Sequence, residues 1–515
     1  MITATIADKP INIDKQSSVP LRSQIRGALA GLIVGGELSA GTRLPSVRDF
    51  AEQLEVSTIT VSHAYQDLSR SGLIVSEVGK GTSVAWASPP PEEGGRREVV
   101  EWWASSLGTY VRAPRTTMLR EILATGAAAN QTMLTDSHPD ISMKLGQGYA
   151  QAMRAAAKGG DEELLRPESA LGLPELRRVL ANWLTSDHPS IPNGTVRAEQ
   201  VLVTSGEFTA LRSIATTFVG PRDSVIVEHP TYFRALDLFE ERGATLLMAP
   251  TDELGIRTDV IASILRARHP KLIYLTHRLH NPSGVALHPD RQRALLALAA
   301  EHHVPVVEDD SGSAYWFDGH LPPSLLSMDR LGMVIHVGSL TRLITAGVRL
   351  GYVVASGLLL KRLAASILAS DMWSAPFLQR AAANYLSSPS FDRDLRASVN
   401  AARDRRDAVL ETLQQHAPEG VQWSMPVGGF NVWISFPSRT PQDLLLEAGR
   451  RAGVAVLPDS MFRVEELTSP SVRLSFARHD PTVLRGAVRR LCEAWREVLR
   501  PDDPRPDVSS GAIMA

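Results

Sequence analysis

Short apolar runs alternate with helical stretches between residues 130 and 500, and this alternation constrains the fold more than any other feature. The runs are QVLVTSG, SVIVEHP, LIYLTH, VPVVEDD, MVIHVGS and LGYVVAS, and helical stretches such as DRQRALLALAAEHH lie between several of them. Continuous apolar runs of this length are typical of strands that are buried on both faces of a sheet. The pattern therefore predicts an α/β domain with a mostly parallel sheet covered by helices.

The first 85 residues have a different pattern, which predicts three helices followed by a β-hairpin. Ser46 and Ser57 stand at the N-cap positions of the second and third helices. The hairpin is predicted from two β-prone runs around Gly79-Lys80-Gly81. Two apolar faces are assigned to the core of this module: Leu21, Ile25, Leu29, Leu32 and Ile33 on the first helix, and Val61, Ala64, Tyr65 and Leu68 on the third.

The chain of 515 residues is too long for one ordinary domain. Between the two patterns lies ASPPPEEGGRRE, a charged stretch rich in proline and glycine that is typical of an extended linker. The predicted organisation is a helical domain over 1–86, a linker over 87–130, an α/β domain over 131–500 and a disordered tail over 501–515.

Composition excludes a disordered or collagen-like chain. Apolar residues make up 43% and charged residues 21% of the chain, as in ordinary globular proteins, and the net charge is −2. Cys492 is the only cysteine, so neither an internal disulfide nor a cysteine-based zinc site can form. No signal peptide or membrane span is predicted, and we expect a cytoplasmic protein with no membrane partner and no metal.

A second helix, a tight turn and a third helix fit a helix-turn-helix that places its third helix in the major groove of DNA. Gln66 on that helix could read a base edge, and Ile59 could contact a thymine methyl group. Arg43 and Arg48 are placed for phosphate or base contacts at the start of the second helix. The other candidate contacts are Ser57, Thr58, Thr60, Ser62 and His63 on the third helix and Lys80 at the hairpin tip.

Residues 20–85 closely resemble the winged helix-turn-helix of the GntR regulator family. The matching pieces are Pro20-Leu21, Gly41-Thr42-Arg43-Leu44-Pro45-Ser46, Arg48, Val56-Ser57, Thr60-Val61, Ala64-Tyr65, Leu68, Gly72 and Gly79-Lys80-Gly81-Thr82. The sequence departs from the family at Thr58, where an arginine is common. The alternative is a helical module that makes only protein contacts.

The second domain resembles the fold-type-I aminotransferases, whose cofactor is pyridoxal phosphate. The resemblance implies a large α/β domain with a small C-terminal α+β subdomain. The matching pieces run in order along about 370 residues: Gly172-Leu173-Pro174-Glu175-Leu176-Arg177, Thr204-Ser205-Gly206, Glu228-His229-Pro230-Thr231-Tyr232, Asn281-Pro282-Ser283-Gly284, Glu308-Asp309-Asp310, Gly338 through Tyr352, Gly428-Gly429-Phe430 and Ser471 through Phe476.

This resemblance implies a role for each matching residue. Asp309 would face the pyridine nitrogen, Asn281 would bond the ring hydroxyl and Tyr232 would stack on the ring. Arg473 would clamp a ligand carboxylate. The phosphate would be held by Ser205, Gly206, Ser339 and Arg349. Taken singly, Asp309, Arg349 and Arg473 could instead be a helix cap and structural ion-pair residues.

The Schiff-base lysine of the resembled enzymes falls on Arg342. A guanidinium stays protonated, so it serves neither as a nucleophile nor as a general base. Ser311 stands where related regulators have a tyrosine, and Lys271, the lysine closest in sequence to a site motif, is expected at the surface. One hypothesis is that Arg342 pairs with Asp309 and fills the cofactor space, and it fails if the Arg342 side chain points away from Asp309.

The combination of both domains resembles the MocR subfamily of GntR-type transcription regulators. This resemblance implies a homodimer that binds double-stranded DNA and senses an unknown small-molecule effector in the aminotransferase-like domain, without catalysis. Pyridoxal phosphate, or pyridoxamine phosphate, would be a possible but uncertain occupant, held only non-covalently. Two other interpretations stay open: a pyridoxal-phosphate-dependent aminotransferase with a vestigial DNA-binding head, and a protein-interaction scaffold that has lost both activities.

Overall fold

The computed structural model describes most of the chain in two compact units, residues 1–109 and 110–515. The described residues are 2–7, 9–15, 17, 20–34, 37–70, 73–77, 81–85, 113–139, 145–158, 169–185, 196–438, 440–465 and 469–500. Among them, no helix is both long and apolar enough to cross a membrane.

The first unit contains the three predicted helices and the predicted hairpin, preceded by a second hairpin that the sequence analysis did not predict. Its elements are β1 (Ile2–Ile6), β2 (Lys9–Ile13), α1 (Leu21–Val34), α2 (Val47–Gln53), α3 (Thr58–Arg70), β3 (Ile74–Glu77) and β4 (Gly81–Val84). Strands β1 and β2 pair antiparallel and bury one face against the helices, through Ala4, Ile6, Ile11 and Ile13.

The predicted caps and core face of the helices are confirmed. The Ser46 hydroxyl accepts a hydrogen bond from the Asp49 backbone N–H at the start of α2. The Ser57 hydroxyl accepts one of 3.1 Å from the Thr60 N–H at the start of α3. Side chains bonded in this way satisfy N–H groups that have no partner within the helix. Val61, Ala64, Tyr65 and Leu68 on α3 are all buried.

The C-terminal hairpin of the first unit is joined to the loop before α2. Strands β3 and β4 pair antiparallel, and residues 78–80 between them lie outside the described residues. The Leu44 N–H donates to the Thr82 carbonyl, and Arg43 forms a β-bridge with Ser83. The hairpin therefore fixes the backbone on which Arg43 stands.

The second unit alternates strands and helices as predicted. Its helices are α4 (Pro114–Ala128), α5 (Leu145–Lys158), α6 (Pro174–Thr185), α7 (Glu207–Phe218), α8 (Phe233–Glu241), α9 (Thr258–Ala267), α10 (Pro289–His302), α11 (Leu325–Met328), α12 (Leu340–Leu343), α13 (Gly357–Ser370), α14 (Pro376–Leu386), α15 (Pro389–His416), α16 (Gln442–Arg451) and α17 (Pro481–Val498). Its strands are β5 (Thr132–Met133), β6 (Val201–Thr204), β7 (Ser224–His229), β8 (Thr245–Asp252), β9 (Gly255–Ile256), β10 (Leu272–Leu275), β11 (Val306–Asp309), β12 (Val334–Ser339), β13 (Gly351–Val354), β14 (Gln422–Trp423), β15 (Asn431–Ser435), β16 (Val454–Ala455), β17 (Leu457–Pro458) and β18 (Ser471–Ser475).

All six predicted strands lie in one eight-stranded sheet, which confirms the α/β prediction. The strand order is β6-β13-β12-β11-β10-β7-β8-β9. Neighbours from β8 to β12 pair parallel, whereas β13 pairs antiparallel with both β12 and β6. A separate antiparallel sheet, β14-β15-β18-β17, forms with α15, α16 and α17 the small C-terminal subdomain.

The predicted linker, 87–130, needs a correction at its C-terminal end, because α4 falls inside it. Arg115 at the start of α4 is buried and forms ion pairs of 3.1 Å with Asp237 and 2.7 Å with Glu240, both on α8. Leu119 and Ile122 pack against an apolar cluster that includes Phe462. These long-range contacts attach α4 to the second unit. They cannot be predicted from a local sequence pattern.

Candidate functional site

Helix α3 presents the predicted DNA-contacting residues on the face opposite its core. Ile59 is 66% exposed, an unusual exposure for a large apolar side chain. Ser57, Thr58, His63 and Gln66 are exposed, and Thr60 and Ser62 are half-buried. The Ser57 and Thr60 hydroxyl oxygens lie 2.8 Å apart and take part in the helix cap. The structure therefore brings together an apolar group, hydroxyls and an imidazole on one accessible helix face.

Two exposed arginines lie just before and at the start of the preceding helix, α2. Arg43 and Arg48 are both exposed, and Arg48 is the second residue of α2. Lys80, the predicted contact at the hairpin tip, lies outside the described residues. Exposed guanidiniums beside a helix N-terminus suit contacts with phosphate groups.

The predicted site of the second unit lies at the carboxyl ends of the sheet strands, where ligands bind in open α/β folds. Asp309 and Ser339 end β11 and β12, and Gly206 precedes α7 just after β6. Adjoining cavities of about 30, 90 and 240 Å³ share Tyr232 and Arg342 as lining residues. Seven of the predicted residues line these cavities: Tyr232, Asn281, Asp309, Ser339, Arg342, Arg349 and, in the largest cavity, Arg473.

Asp309 is buried and its carboxylate already has partners within the chain. It accepts hydrogen bonds of 2.9 Å from the Tyr274 hydroxyl and 2.6 Å from the Ser311 hydroxyl. Burial, followed by the negative charge of Glu207, raises the pKa of Asp309 to about 7, against the opposing effects of Ser311, Arg342 and Tyr274. Asp309 therefore changes charge near neutral pH.

Arg342 pairs with Glu207, and this corrects the hypothesis of a direct pair with Asp309. The Arg342 Nε atom lies 3.6 Å from the Glu207 Oε2 atom, and both side chains are nearly buried. The guanidinium carbon lies 6.0 Å from the centre of the Tyr232 ring, within cation–π range. Arg342 still points into the pocket, where its positive charge opposes the rise in the Asp309 pKa.

The predicted phosphate-binding residues lie around the N-terminus of α7. Gly206 has a positive φ of 105°, and a Cβ atom there would lie 3.2 Å from the Arg349 Nη2 atom, so glycine permits this close approach. Arg349 and Ser339 line one cavity with Glu207, and the Ser339 hydroxyl accepts a 3.4 Å hydrogen bond from the Arg342 N–H. The Ser205 hydroxyl lies 3.2 Å from that of Ser374.

Arg473 is buried beside Asn281 without a carboxylate partner in the described part of the chain. It donates hydrogen bonds of 3.1 Å to Asn281 Oδ1 and 2.6 Å to the Thr135 carbonyl, and its Nε is buried without a partner there. Burial, followed by the positive charge of Arg342, lowers the pKa of Arg473 to about 9. A buried cation whose charge is not neutralised can hold a carboxylate ligand.

The buried carboxylate of Glu308 stabilises the backbone next to Asp309. Glu308, next to Asp309, accepts hydrogen bonds of 2.7 Å from His277 and 2.9 Å from His336. It also accepts the Leu325 N–H at 2.6 Å. Burial opposes the ionisation of Glu308, but the hydrogen bonds and charges of both histidines outweigh it and hold the pKa well below its usual range. This cluster fixes the end of β11.

Sequence reasoning missed two residues of the site: Glu207, which lines a cavity, and Tyr274, which hydrogen-bonds Asp309. Glu207 directly follows the Thr204-Ser205-Gly206 motif, so its position in the first turn of the helix could have been recognised. Tyr274 lies in an apolar run, and only the pairing of β10 with β11 brings its hydroxyl to Asp309. As predicted, Lys271 is at the surface, 3.6 Å from Asp223. No lysine is found among the described residues that line the pocket.

These residues fit pyridoxal phosphate only in part. The ring subsite keeps Asp309, Asn281 and Tyr232. On the phosphate side, however, the Glu207 carboxylate shares the cavity with Ser339, Arg234, Arg342 and Arg349, and the described lining residues include no lysine, whose amine an aldimine requires. The described lining residues therefore do not fit a covalently attached pyridoxal phosphate.

Comparisons with known proteins agree with the division of the chain into an N-terminal helix-turn-helix unit and a larger α/β unit. The model of the family "Aminotransferase class I and II" matches residues 146–491, and that of "Bacterial regulatory proteins, gntR family" matches residues 21–84. The chain is 27% identical to the uncharacterized HTH-type transcriptional regulator YisV of Bacillus subtilis, over 94% of this chain and 98% of that protein. It is 24% identical to the HTH-type transcriptional regulator NorG of Staphylococcus aureus, over 84% and 95%.

Among solved structures, the chain resembles the multiple substrate aminotransferase of Thermococcus profundus. The TM-score is 0.72 at 27% identity, and the match covers 76% of this chain and 98% of that chain. The similarity to regulators thus includes the N-terminal unit, whereas the enzyme aligns with about three-quarters of the chain.

Proposed function

The chain belongs to the aminotransferase class I and II family and carries a gntR-type helix-turn-helix, and from this premise we propose that it is a transcription regulator whose large domain binds an effector without catalysis. The observation that carries the proposal is the similarity to HTH-type regulators over nearly the whole chain. The accessible face of α3 supports DNA binding. Pyridoxal phosphate is the usual cofactor of this fold family. Amino-group transfer does not require a DNA-binding unit, however, so the presence of this unit favours regulation over catalysis.

DNA recognition would use α3 in the major groove. Ile59 offers a methyl-rich surface for thymine, and Gln66 and His63 can exchange hydrogen bonds with base edges. Arg43 and Arg48 would hold the phosphates on either side, together with Ser57 and Thr58. The contacts to phosphate fix the position of the helix, while those to bases provide sequence preference.

The effector would bind non-covalently in the pocket of the second unit. Arg342 cannot form a Schiff base, so pyridoxal phosphate or pyridoxamine phosphate could be held only by charge and hydrogen bonds. Arg473 would bind a carboxylate of the effector, because it is a buried cation without an acidic partner in the described residues. The Asn281 side chain, bonded to Arg473, would orient it.

We propose that the regulator acts in the cytoplasm as a homodimer. An effector can then change operator affinity only by binding one arrangement of the two DNA-binding units more tightly than the other. The distance between the two recognition helices would set the spacing of the operator half-sites.

Two measurements on the purified full chain test the proposal. Selection from fragmented genomic DNA, followed by fluorescence anisotropy on the enriched duplexes, should give sequence-specific binding; binding that ignores sequence would contradict it. Absorbance titration with pyridoxal phosphate and borohydride trapping should give no protein adduct. An adduct that maps to a single lysine by peptide analysis would show that the pocket forms an aldimine.

The retained ring-side residues favour one alternative, an aminotransferase with a vestigial DNA-binding unit. Asp309, Asn281 and Tyr232 still line one cavity, as this activity would require. The alternative predicts conversion of an amino acid to its keto acid in the presence of pyridoxal phosphate. A coupled assay over a panel of amino donors distinguishes the two functions, and turnover by the wild-type chain would favour the enzyme.

A further inference from the structure

The carboxylate of Glu207 lies among the residues that the aminotransferase resemblance assigns to a phosphate group. Glu207 is the first residue of α7, directly after Gly206, and it lines the 90 Å³ cavity with Ser339 and Arg349. Only 10% of its side chain is exposed. A helix N-terminus favours negative charge, and here the chain provides that charge itself.

Arg342 neutralises this carboxylate from the side where the resembled enzymes place their lysine. The distance between Arg342 Nε and Glu207 Oε2 is 3.6 Å, and Arg342 has no other acidic partner within ion-pair distance among the described residues. The two side chains thus form an internal pair of opposite charges. Arg234 and Arg349 line the same cavity, but an arriving phosphate would also meet the Glu207 carboxylate in a buried site, where like charges repel strongly.

At the opposite end of the pocket, Arg473 forms no ion pair with a carboxylate among the described residues. Arg473 is only 3% exposed and lines the 240 Å³ cavity with Leu119, Leu123 and Leu457. Its guanidinium bonds only neutral groups in the described residues, Asn281 and the Thr135 carbonyl. The pocket therefore has room for a ligand anion at Arg473, whereas its phosphate side already contains a carboxylate.

We infer that the Glu207–Arg342 ion pair takes the place of the phosphorylated cofactor, so that the pocket binds its effector directly and gains nothing from a phosphate group. The inference rests on the proposed effector pocket, but it concerns ligand binding alone. It distinguishes this pocket from one that holds pyridoxamine phosphate and senses the effector through it.

Calorimetric titration of the full chain with pyridoxamine phosphate and with pyridoxamine isolates the phosphate contribution, because the two probes differ only in that group. The wild type should bind both with affinities that agree within about threefold. Glu207→Gln should bind the phosphorylated probe about tenfold or more tightly than pyridoxamine, since the repulsion is removed. Glu241→Gln is the matched control, because Glu241 forms an exposed pair with Arg212 and should leave the ratio unchanged.

A second variant covers the case in which Glu207→Gln leaves Arg342 buried without a partner and fails to fold. Glu207→Gln combined with Arg342→Gln removes both charges and should still bind the phosphorylated probe more tightly than the wild type does. A wild type that prefers pyridoxamine phosphate tenfold or more would overturn the inference. So would folded Glu207 variants without a gain for the phosphorylated probe. Neither result depends on DNA, so a failure of sequence-specific DNA binding would leave this inference standing.

Discussion

The Asp309 carboxylate accepts a hydrogen bond of 2.9 Å from the hydroxyl of Tyr274, which lies on the adjacent parallel strand β10. The aminotransferase resemblance assigns this carboxylate to a pyridine nitrogen. In this chain a second donor, the Ser311 hydroxyl, also binds it at 2.6 Å. Two hydroxyl groups of the chain thus donate hydrogen bonds to Asp309. Similarly, Arg342 forms its ion pair within the chain, with Glu207.

The raised pKa of Asp309 predicts a specific pH dependence of stability. The pKa is about 7 in the folded chain and 3.8 ordinarily, so the folded state holds an additional proton between these values. The resulting stabilisation is complete below about pH 4 and is lost as the pH rises through 7. Each unit of difference between the pKa values of the folded and unfolded states changes the free energy of unfolding by about 1.4 kcal/mol.

Thermal unfolding of the wild type and Asp309→Asn at pH 5.5 and pH 8 measures this effect. Asparagine does not titrate, so the Asp309→Asn variant lacks this loss of stability. We therefore expect its Tm, relative to that of the wild type, to be higher at pH 8 than at pH 5.5. Asp290→Asn, which changes an exposed aspartate, should keep a nearly constant difference from the wild type. Parallel behaviour of Asp309→Asn and the wild type would show that Asp309 titrates normally.

Ile59→Ala should weaken specific DNA binding without affecting the fold. Ile59 is 66% exposed, so its truncation should change the free energy of unfolding by less than about 0.5 kcal/mol. Loss of its contact with a thymine methyl should reduce specific affinity by about 1 kcal/mol, or about fivefold. Anisotropy titrations should show this loss for specific but not for random duplexes. Leu331→Ala, at a similarly exposed leucine in the second unit, should have no effect on DNA binding.

Arg48→Ala should weaken binding to all duplexes to a similar degree. A phosphate contact releases counterions, so its removal should lower the slope of log affinity against log salt concentration by about 1. Arg362→Ala removes an exposed arginine from α13 in the second unit and should leave the slope unchanged. If Arg48→Ala changed affinity for only one sequence, Arg48 would be a base contact.

Arg115→Ala should strongly destabilise the second unit. Arg115 is buried, and its removal leaves Asp237 without its ion-pair partner in a nearly inaccessible position, 5% exposed. Breaking a buried pair in this way costs about 3–5 kcal/mol. The matched change Arg212→Ala breaks an exposed pair with Glu241 and should cost about 1 kcal/mol or less. Chemical denaturation followed by circular dichroism compares the two variants.

The helix caps and the sheet strands could be predicted because local sequence determines them. Ser46 and Ser57 bond N–H groups three residues ahead, and the buried strands are continuous apolar runs. The N-terminal hairpin was missed although Ile11 and Ile13 alternate with polar residues as expected for a strand with one buried face. Helix α4 lacks such a pattern, and its position depends on ion pairs with residues more than 100 positions away.

The sequence by itself determined the two kinds of domain, the third helix of the helix-turn-helix and the arginine at position 342, because motifs and periodicity are local properties of the chain. Only the tertiary structure decided how the charges of the pocket are paired. Arg342 and Glu207 are far apart in sequence, and the choice of Glu207 over Asp309 as partner follows from the side-chain positions that strand pairing and helix packing impose. Charge pairing depends on distances of a few ångströms in a buried site, and those distances exist only in the folded chain.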